Sequence, residues 1–361
     1  TFAANGILYG NGTSAIGATA VGTATHVLTS NGAGVAPTFQ AAAAGGATDI
    51  DGLSDALTNS SGVTIGLGTG ALAADDGSTN KNTAVGFEAL NDVTSGSLNV
   101  GFGHQAGDKI TTASNSVALG AGSMGAVTTA GSNVAIGSRA MEKGTGSNNT
   151  YVGKSSGEGG AVAAANSNAA FGYSSLEKIT TGSSNVAVGY QAGLNISTGG
   201  SNTMLGGNAG DAVTTGANNT VIGQNAAASS ATVSNEITLG NSSIATLRCQ
   251  VTSITALSDR RDKKDIVPLE LGLDFINSLN PVKFTWNTRD GAKVGQQEAG
   301  FIAQELDEAQ IAAGAETYLD IVLKENLDKL EAAPGKLIPV LVKAIQDLSA
   351  EVATLKEQVN G

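Results

Sequence analysis

Large side chains are scarce in this chain. Aromatics make up 4% of its 361 residues, and there is a single Trp. That is too little bulk to fill one large globular core of this length. Cysteine is nearly absent: with Cys249 alone, no intrachain disulfide framework exists, so none can indicate a compartment. No apolar run is long enough for a membrane-crossing helix. Positive charge is sparse before residue 248, which argues against nucleic acid as a partner. There is no signal peptide, and Thr1 is not a natural start. The chain therefore reads as a fragment or a processed product, with any upstream targeting or anchoring segment out of view.

Glycine is abundant, with 50 residues, and the formal charge is −12. Glycine without a strict triplet period excludes collagen and points to tight turns or closely approaching backbones. Charge is distributed unevenly. Residues 1–246 hold 6 basic and 13 acidic residues, whereas the much shorter 247–361 holds 13 and 18. The later segment also holds Trp286, so a domain boundary is expected near 245–257.

A repeat dominates the middle. Asn-apolar-small-apolar-Gly recurs as "NTAVG" (82–86), "NVGFG" (99–103), "NVAIG" (133–137), "NVAVG" (185–189) and "NTVIG" (219–223), with variants between. The glycines run from Gly86 to Gly240, mostly 17 residues apart, with single steps of 16 and 19. An earlier copy, "TIGLG", lies at 64–68. Each unit reads as a short alternating strand, a small-residue segment and a turn. One such strand cannot bury itself, but stacked coils can. The spacing is too short for a helix pair or a propeller blade, so a parallel β-roll is expected, of either hand. The Asn four residues before nearly every Gly should form a ladder of side-chain amides along the stack.

These phrases resemble the head repeats of trimeric autotransporter adhesins, which are stacked β-rolls that associate as trimers. The resemblance covers about residues 63–243, with a unit here a few residues longer. A rigid spacer and a ligand-binding surface are both compatible with such a rod. Residues 1–62 are less regular. "HVLTSNGAGVAPTFQ" (26–40) resembles modules of phage tail-fibre shafts and suggests strand-turn-strand, and "ATDIDGLSDAL" (47–57) has a similar character.

The last third opens on "SDRRDKKDI" (258–266). This stretch resembles the signature of the intramolecular chaperone and auto-protease domain that ends endosialidases and other phage tail spikes and fibres. Three further segments follow in the same order: "INSLNPVKFTWN" (276–287), "EAGFIAQEL" (298–306) and "GKLIPVLVKAIQDLSAEVATLKEQV" (335–359). The resemblance implies a homotrimer whose last domain assembles the β-structure upstream and then cuts itself off. It also implies a Ser-Lys dyad, with Ser258 as nucleophile and Lys263 as base. A serine hydroxyl needs a base to attack. A lysine serves only when neutral, and an ordinary one stays protonated up to about pH 10.4. Burial and the neighbours Arg260, Arg261 and Lys264 would favour the neutral amine. Such an environment exists only after folding, so cleavage would report assembly. The scissile bond should adjoin Ser258: the resemblance implies Ser258–Asp259, whereas a simple acyl shift would break Leu257–Ser258, and both stay open. Asp259, Arg261 and Asp265 are expected to orient the site or form salt bridges.

Ile338, Leu341, Ile345, Leu348, Val352, Leu355 and Val359 fall on a and d positions of a heptad, which suggests a terminal coiled coil. β-branched a with Leu d favours parallel dimers in isolation, whereas the resemblance implies trimers. The upstream β-structure is expected to set the number. Pro268 should open a helix carrying Leu269, Leu273, Ile276 and Leu279, ended by Asn280-Pro281. A further helix is expected over about 319–332.

Other signals are weak. "GLGTG" (66–70) lacks a βαβ frame, and "DIDG" (49–52) lacks the rest of a calcium loop. His26 and His104 stand alone, so neither a metal nor a cofactor is expected. The expected architecture is mainly β: shaft-like β-structure (1–62), a β-roll or β-helix rod (63–246), then a small α+β chaperone domain (247–361) ending in a coiled-coil helix. The expected function is a phage tail fibre or spike, a homotrimer assembled in the host cytoplasm and carried on the virion. Its expected partners are other tail proteins through the missing N-terminus and a host surface glycan or protein, without membrane insertion. Two alternatives are a bacterial trimeric adhesin head and a polysaccharide depolymerase spike. The first needs a membrane-anchoring barrel and the second acidic clefts, and neither is evident.

Overall fold

The period-2 pattern with a small central residue makes each repeat a three-residue strand whose middle side chain turns inward. The computed structural model describes residues 7–9, 17–20, 26–31, 35–41, 56–58, 64–78, 80–160, 164–248, 250, 256–289 and 291–360. These fall in two compact units, Thr1–Arg139 and Ala140–Gly361.

In the first unit, β1 (Leu8–Tyr9) pairs antiparallel with β2 (Gly17–Ala18), and β3 (His26–Thr29) with β4 (Thr38–Ala41). The second pair is the strand-turn-strand expected at 26–40. Most of the 47–57 segment lies outside the described residues. The short β5 (Ala56–Thr58) runs antiparallel to β6 (Ile65–Leu67). From β6 the chain coils through β7 (Thr83–Val85), β8 (Val100–Phe102), β9 (Val117–Leu119) and β10 (Val134–Ile136), each parallel to the one before. The second unit repeats this with β11 (Thr150–Val152), β12 (Ala169–Phe171), β13 (Val186–Val188), β14 (Thr203–Leu205), β15 (Thr220–Ile222) and β16 (Ile237–Leu239). This is a parallel β-solenoid, with one coil per repeat.

Each coil's interior is thin, and its residues compensate for one another. Ala84, Ala118, Ala170 and Ala187 are fully buried mid-strand residues. Where the mid-strand residue is large, a later position in the same coil shrinks. A Cβ on Gly157 would strike the Tyr151 ring, and one on Gly210 would strike Met204 Sδ. The asparagines form the expected ladder, fully buried. The Oδ1 of Asn168 accepts from the Asn185 N–H at 2.9 Å, and that of Asn185 accepts from the Asn202 N–H at 2.9 Å. Their Nδ2 groups donate to turn carbonyls, Asn185 to Gly199 O at 3.0 Å and Asn202 to Gly216 O at 2.9 Å. The glycine column is required by contact as well as by torsion. Gly189 has φ +138, and a Cβ there would lie 2.5 Å from Gly206 O. Corners are also left-handed at non-glycine residues. Leu98, Asn115 and Ser132 precede successive rungs with φ near 60.

The remainder of the second unit is α+β. Its elements are α1 (Leu273–Ser278), β17 (Val282–Thr285) antiparallel to β18 (Gln297–Gly300), α2 (Ala303–Ala312) and α3 (Glu316–Leu319). Then β19 (Val322–Leu323) pairs with β20 (Glu331–Ala332), and α4 (Ile338–Asn360) ends the chain. Phe275, Leu306, Leu319, Ile321, Val322, Leu337 and Val340 form its core. Two sequence expectations need correction. The first helix begins at Leu273 and not beside Pro268. Gly272 lies so close to α4 that a Cβ would strike the Asp347 carboxylate, and that carboxylate accepts from the Leu273 N–H. The helix expected over 319–332 is a strand pair, because Asp320 turns left-handed (φ 46) and stops α3 at Leu319.

Candidate functional site

Asp259 is a strong N-cap residue, and it sets the local geometry. Its Oδ1 accepts from the Arg261 N–H at 2.8 Å and starts a single 3-10 turn, Arg260–Asp262. The Arg261 guanidinium returns to the same carboxylate, Nε to Oδ1 at 3.0 Å and Nη2 to Oδ2 at 2.6 Å. The Lys263 N–H donates to Arg260 O at 3.2 Å and closes the turn. The chain has now reversed, and Lys263 brings its Nζ to 2.6 Å from Ser258 Oγ. The contact is a hydrogen bond from the ammonium to the hydroxyl. With the amine neutral, the same distance serves the opposite transfer, from serine to lysine.

Ser258 and Lys263 are both exposed, and Leu257 is 82% exposed. The burial that the sequence reading invoked for the base is therefore not supplied by this chain alone. Nor do all the nearby cations bear on Lys263. Arg261 is turned onto Asp259, and the Lys264 Nζ lies 3.9 Å from Asp265 Oδ2. The Arg261 side chain, then its N–H, hold the Asp259 carboxyl below the ordinary carboxylate range, and Asp259 raises Arg261 in return. Asp265 lies two residues past the turn's C-cap, Lys263, and is left-handed, with φ 54. The resemblance paired Ser258 with Lys263, and salt bridges were expected of Asp259 and Arg261, but the cap that Asp259 places on the turn was missed. Asp at the N-cap two residues before Arg was the readable signal.

The other candidates lie apart from the dyad. His104 stacks on Phe87 at 5.3 Å, and His26 sits in β3. Cys249 is outside the described residues. Among the described residues no group of His, Cys, Asp or Glu side chains is placed to hold a metal ion. Among the described residues no helix is long and apolar enough to cross a membrane.

The fold and this turn define a class: a parallel β-solenoid followed by a small α+β module that opens on a Ser-Lys contact. Residues 258–315 match the model of the family described as chaperone of endosialidase, and the match begins at Ser258 itself. Together with the solenoid, the matched module fits an architecture of the tail-fibre or endosialidase type. No curated protein matches the chain, and neither does any solved structure.

Proposed function

We propose that this chain is part of a phage tail fibre or spike that contributes to host attachment. Its last domain drives trimerisation and then releases itself through Ser258 and Lys263. The observation that carries the reading is the 2.6 Å Lys263 Nζ to Ser258 Oγ contact at the first residues of the matched module. The module also distinguishes the reading from an adhesin head.

Two exposed apolar faces support self-association. On α4, Val340 and Ala344 are buried, whereas Ile338, Leu341, Ile345, Leu348, Val352, Leu355 and Val359 all face solvent. A soluble monomer has no use for such a seam, and a coiled coil buries it. On the solenoid, the outward strand residues are also apolar: Val100, Phe102 and Leu119 in the first unit, Phe171, Leu205, Ile222 and Leu239 in the second. Assembly would supply the cover that the exposed dyad lacks, so cleavage would follow trimerisation.

In the chemical step, neutral Lys263 accepts the Ser258 proton while Oγ bonds to a carbonyl carbon, whose π pair moves to oxygen. On collapse the C–N pair goes to the amide nitrogen, which takes the proton from Lys263. Water then divides the ester, giving hydroxyl to the acyl carbon and hydrogen to Oγ. Within one chain, Oγ reaches the Leu257 carbonyl through a five-membered ring. Attack on its own carbonyl would close a strained four-membered lactone. Cleavage of Ser258–Asp259 would therefore need Ser258 of another copy or an activated water. Denatured intact masses of wild type, Ser258→Ala and Lys263→Ala test the reading. A C-terminal piece from wild type alone supports it, and its mass says whether Ser258 stays with that piece. A wild type that remains whole removes the chemistry from Ser258.

A further inference from the structure

Residues 258–265 hold three carboxylates and four cations, yet the structure leaves Lys263 with a hydroxyl partner. An ammonium beside three carboxylates would ordinarily pair with one, and such a pair resists losing its proton. Here Asp259 is engaged by Arg261 through the side-chain fork and the backbone N–H. Asp265 lies toward Lys264. Asp262 lies in the 3-10 turn, where its N–H donates to Asp259 O. Among the described residues Lys263 forms no ion pair, either within the turn or with β17, β18 or the four helices.

We infer that Arg261 is a positioning residue for self-cleavage: it holds the Asp259 carboxylate and its charge away from Lys263, leaving Lys263 to Ser258. The inference rests on the Ser-Lys reading above. Arg261 is at position 3 of "DRR" (259–261), two residues past its partner, and its guanidinium hydrogen-bonds to the Asp259 carboxylate. It acts through Asp259. Asp259 in turn does two jobs: an oxygen caps the turn, and a negative charge needs neutralising. Asparagine keeps the first and removes the second.

That separation gives the test. The full chain is expressed as wild type, Arg261→Ala, Asp259→Asn, the double variant Asp259→Asn/Arg261→Ala, and Asp262→Asn. Cleavage rate is followed against pH by intact mass. Arg261→Ala unmasks the Asp259 charge beside Lys263. The pH of half-maximal rate should rise by about one unit, with an approximately tenfold slower rate near neutrality. The double variant should return both toward wild type. Asp259→Asn alone should not move the profile to higher pH, whatever it does to the maximal rate, and Asp262→Asn should leave the profile in place. A purely structural fork predicts the reverse, with the double variant at least as slow as Arg261→Ala and no shift in the profile. That result, or an unshifted Arg261→Ala, overturns the inference. Loss of cleavage in Ser258→Ala and Lys263→Ala, run alongside, tests the dyad itself, so failure of the dyad and failure of the Arg261 role give different patterns.

Discussion

Consider Asn185 replaced by alanine. Its side chain is fully buried, and its Oδ1 accepts from the Asn202 N–H at 2.9 Å and Asn202 Nδ2 at 3.1 Å. Its Nδ2 donates to Gly199 O at 3.0 Å. The same Nδ2 also donates to Asn168 Oδ1 at 3.1 Å, and alanine removes all four contacts. The Gly199 carbonyl can be recovered: at the serine rung of the same ladder, Asn133 Nδ2 reaches Ala130 O at 3.2 Å, and Asn202 stands in the same relation to Gly199. The Asn202 N–H has no substitute, because it points into the ladder and water is excluded. An unpaired buried amide costs about 1–3 kcal/mol. Serine offers an internal control. Ser116 is a natural rung whose Oγ accepts the Asn133 N–H at 3.3 Å, so Asn185→Ser should retain most of that bond. The assay is amide hydrogen exchange on the full chain. In Asn185→Ala the Asn202 amide should exchange roughly ten- to a hundredfold faster, since about 1.4 kcal/mol is a factor of ten. In Asn185→Ser it should change much less. An Asn202 amide as protected in Asn185→Ala as in wild type would refute the ladder's energetic role, and so would equal damage from alanine and serine.

Three further outcomes follow from the geometry. Leu98 sits at φ 59 and is 52% exposed, at a corner that Asn115 and Ser132 occupy in later coils. Leu98→Asn should therefore raise the melting temperature, by about 0.5–1 kcal/mol of stability, and a lowered one counts against corner strain. Gly189→Ala forces a Cβ against Gly206 O, whereas Gly77, at φ +75, has open space around it. Thermal unfolding should show Gly77→Ala losing about 1 kcal/mol and Gly189→Ala several times more. Asp259 is held below its ordinary range, so the fork contributes fully above about pH 4 and weakens as pH falls through the depressed value. The Arg261 Nε–H resonance should move in that more acid range, and a midpoint at or above pH 4 would contradict the fork.

The solenoid was legible because its determinants are local and repeated. A period of 2 inside a period of 17 leaves few other ways to bury Ala84, Ala118 and Ala187. The asparagine ladder was legible for the same reason. The corners were not, because Leu98, Ser132 and Met141 give no hint of positive φ that glycine would have given. Volume exchange between Tyr151 and Gly157 was hidden because it joins two columns of one coil. In the α+β remainder of the second unit, contacts distant in sequence overrode local signals. Asp347 on α4 sets where α1 begins, and pairing of Val322 with Ala332 displaced the expected helix. Ser258 and Lys263 emerged from a resemblance, since composition alone gives a serine near lysines no special standing. Their exposure in the folded chain was not readable at all.

The most direct test of the whole account is native mass spectrometry of freshly folded wild type beside Ser258→Ala. The account predicts trimers from both, with the bond adjoining Ser258 cut in every wild-type trimer and intact in the variant. Cleaved monomers from wild type would contradict it, because cleavage would then need no assembly.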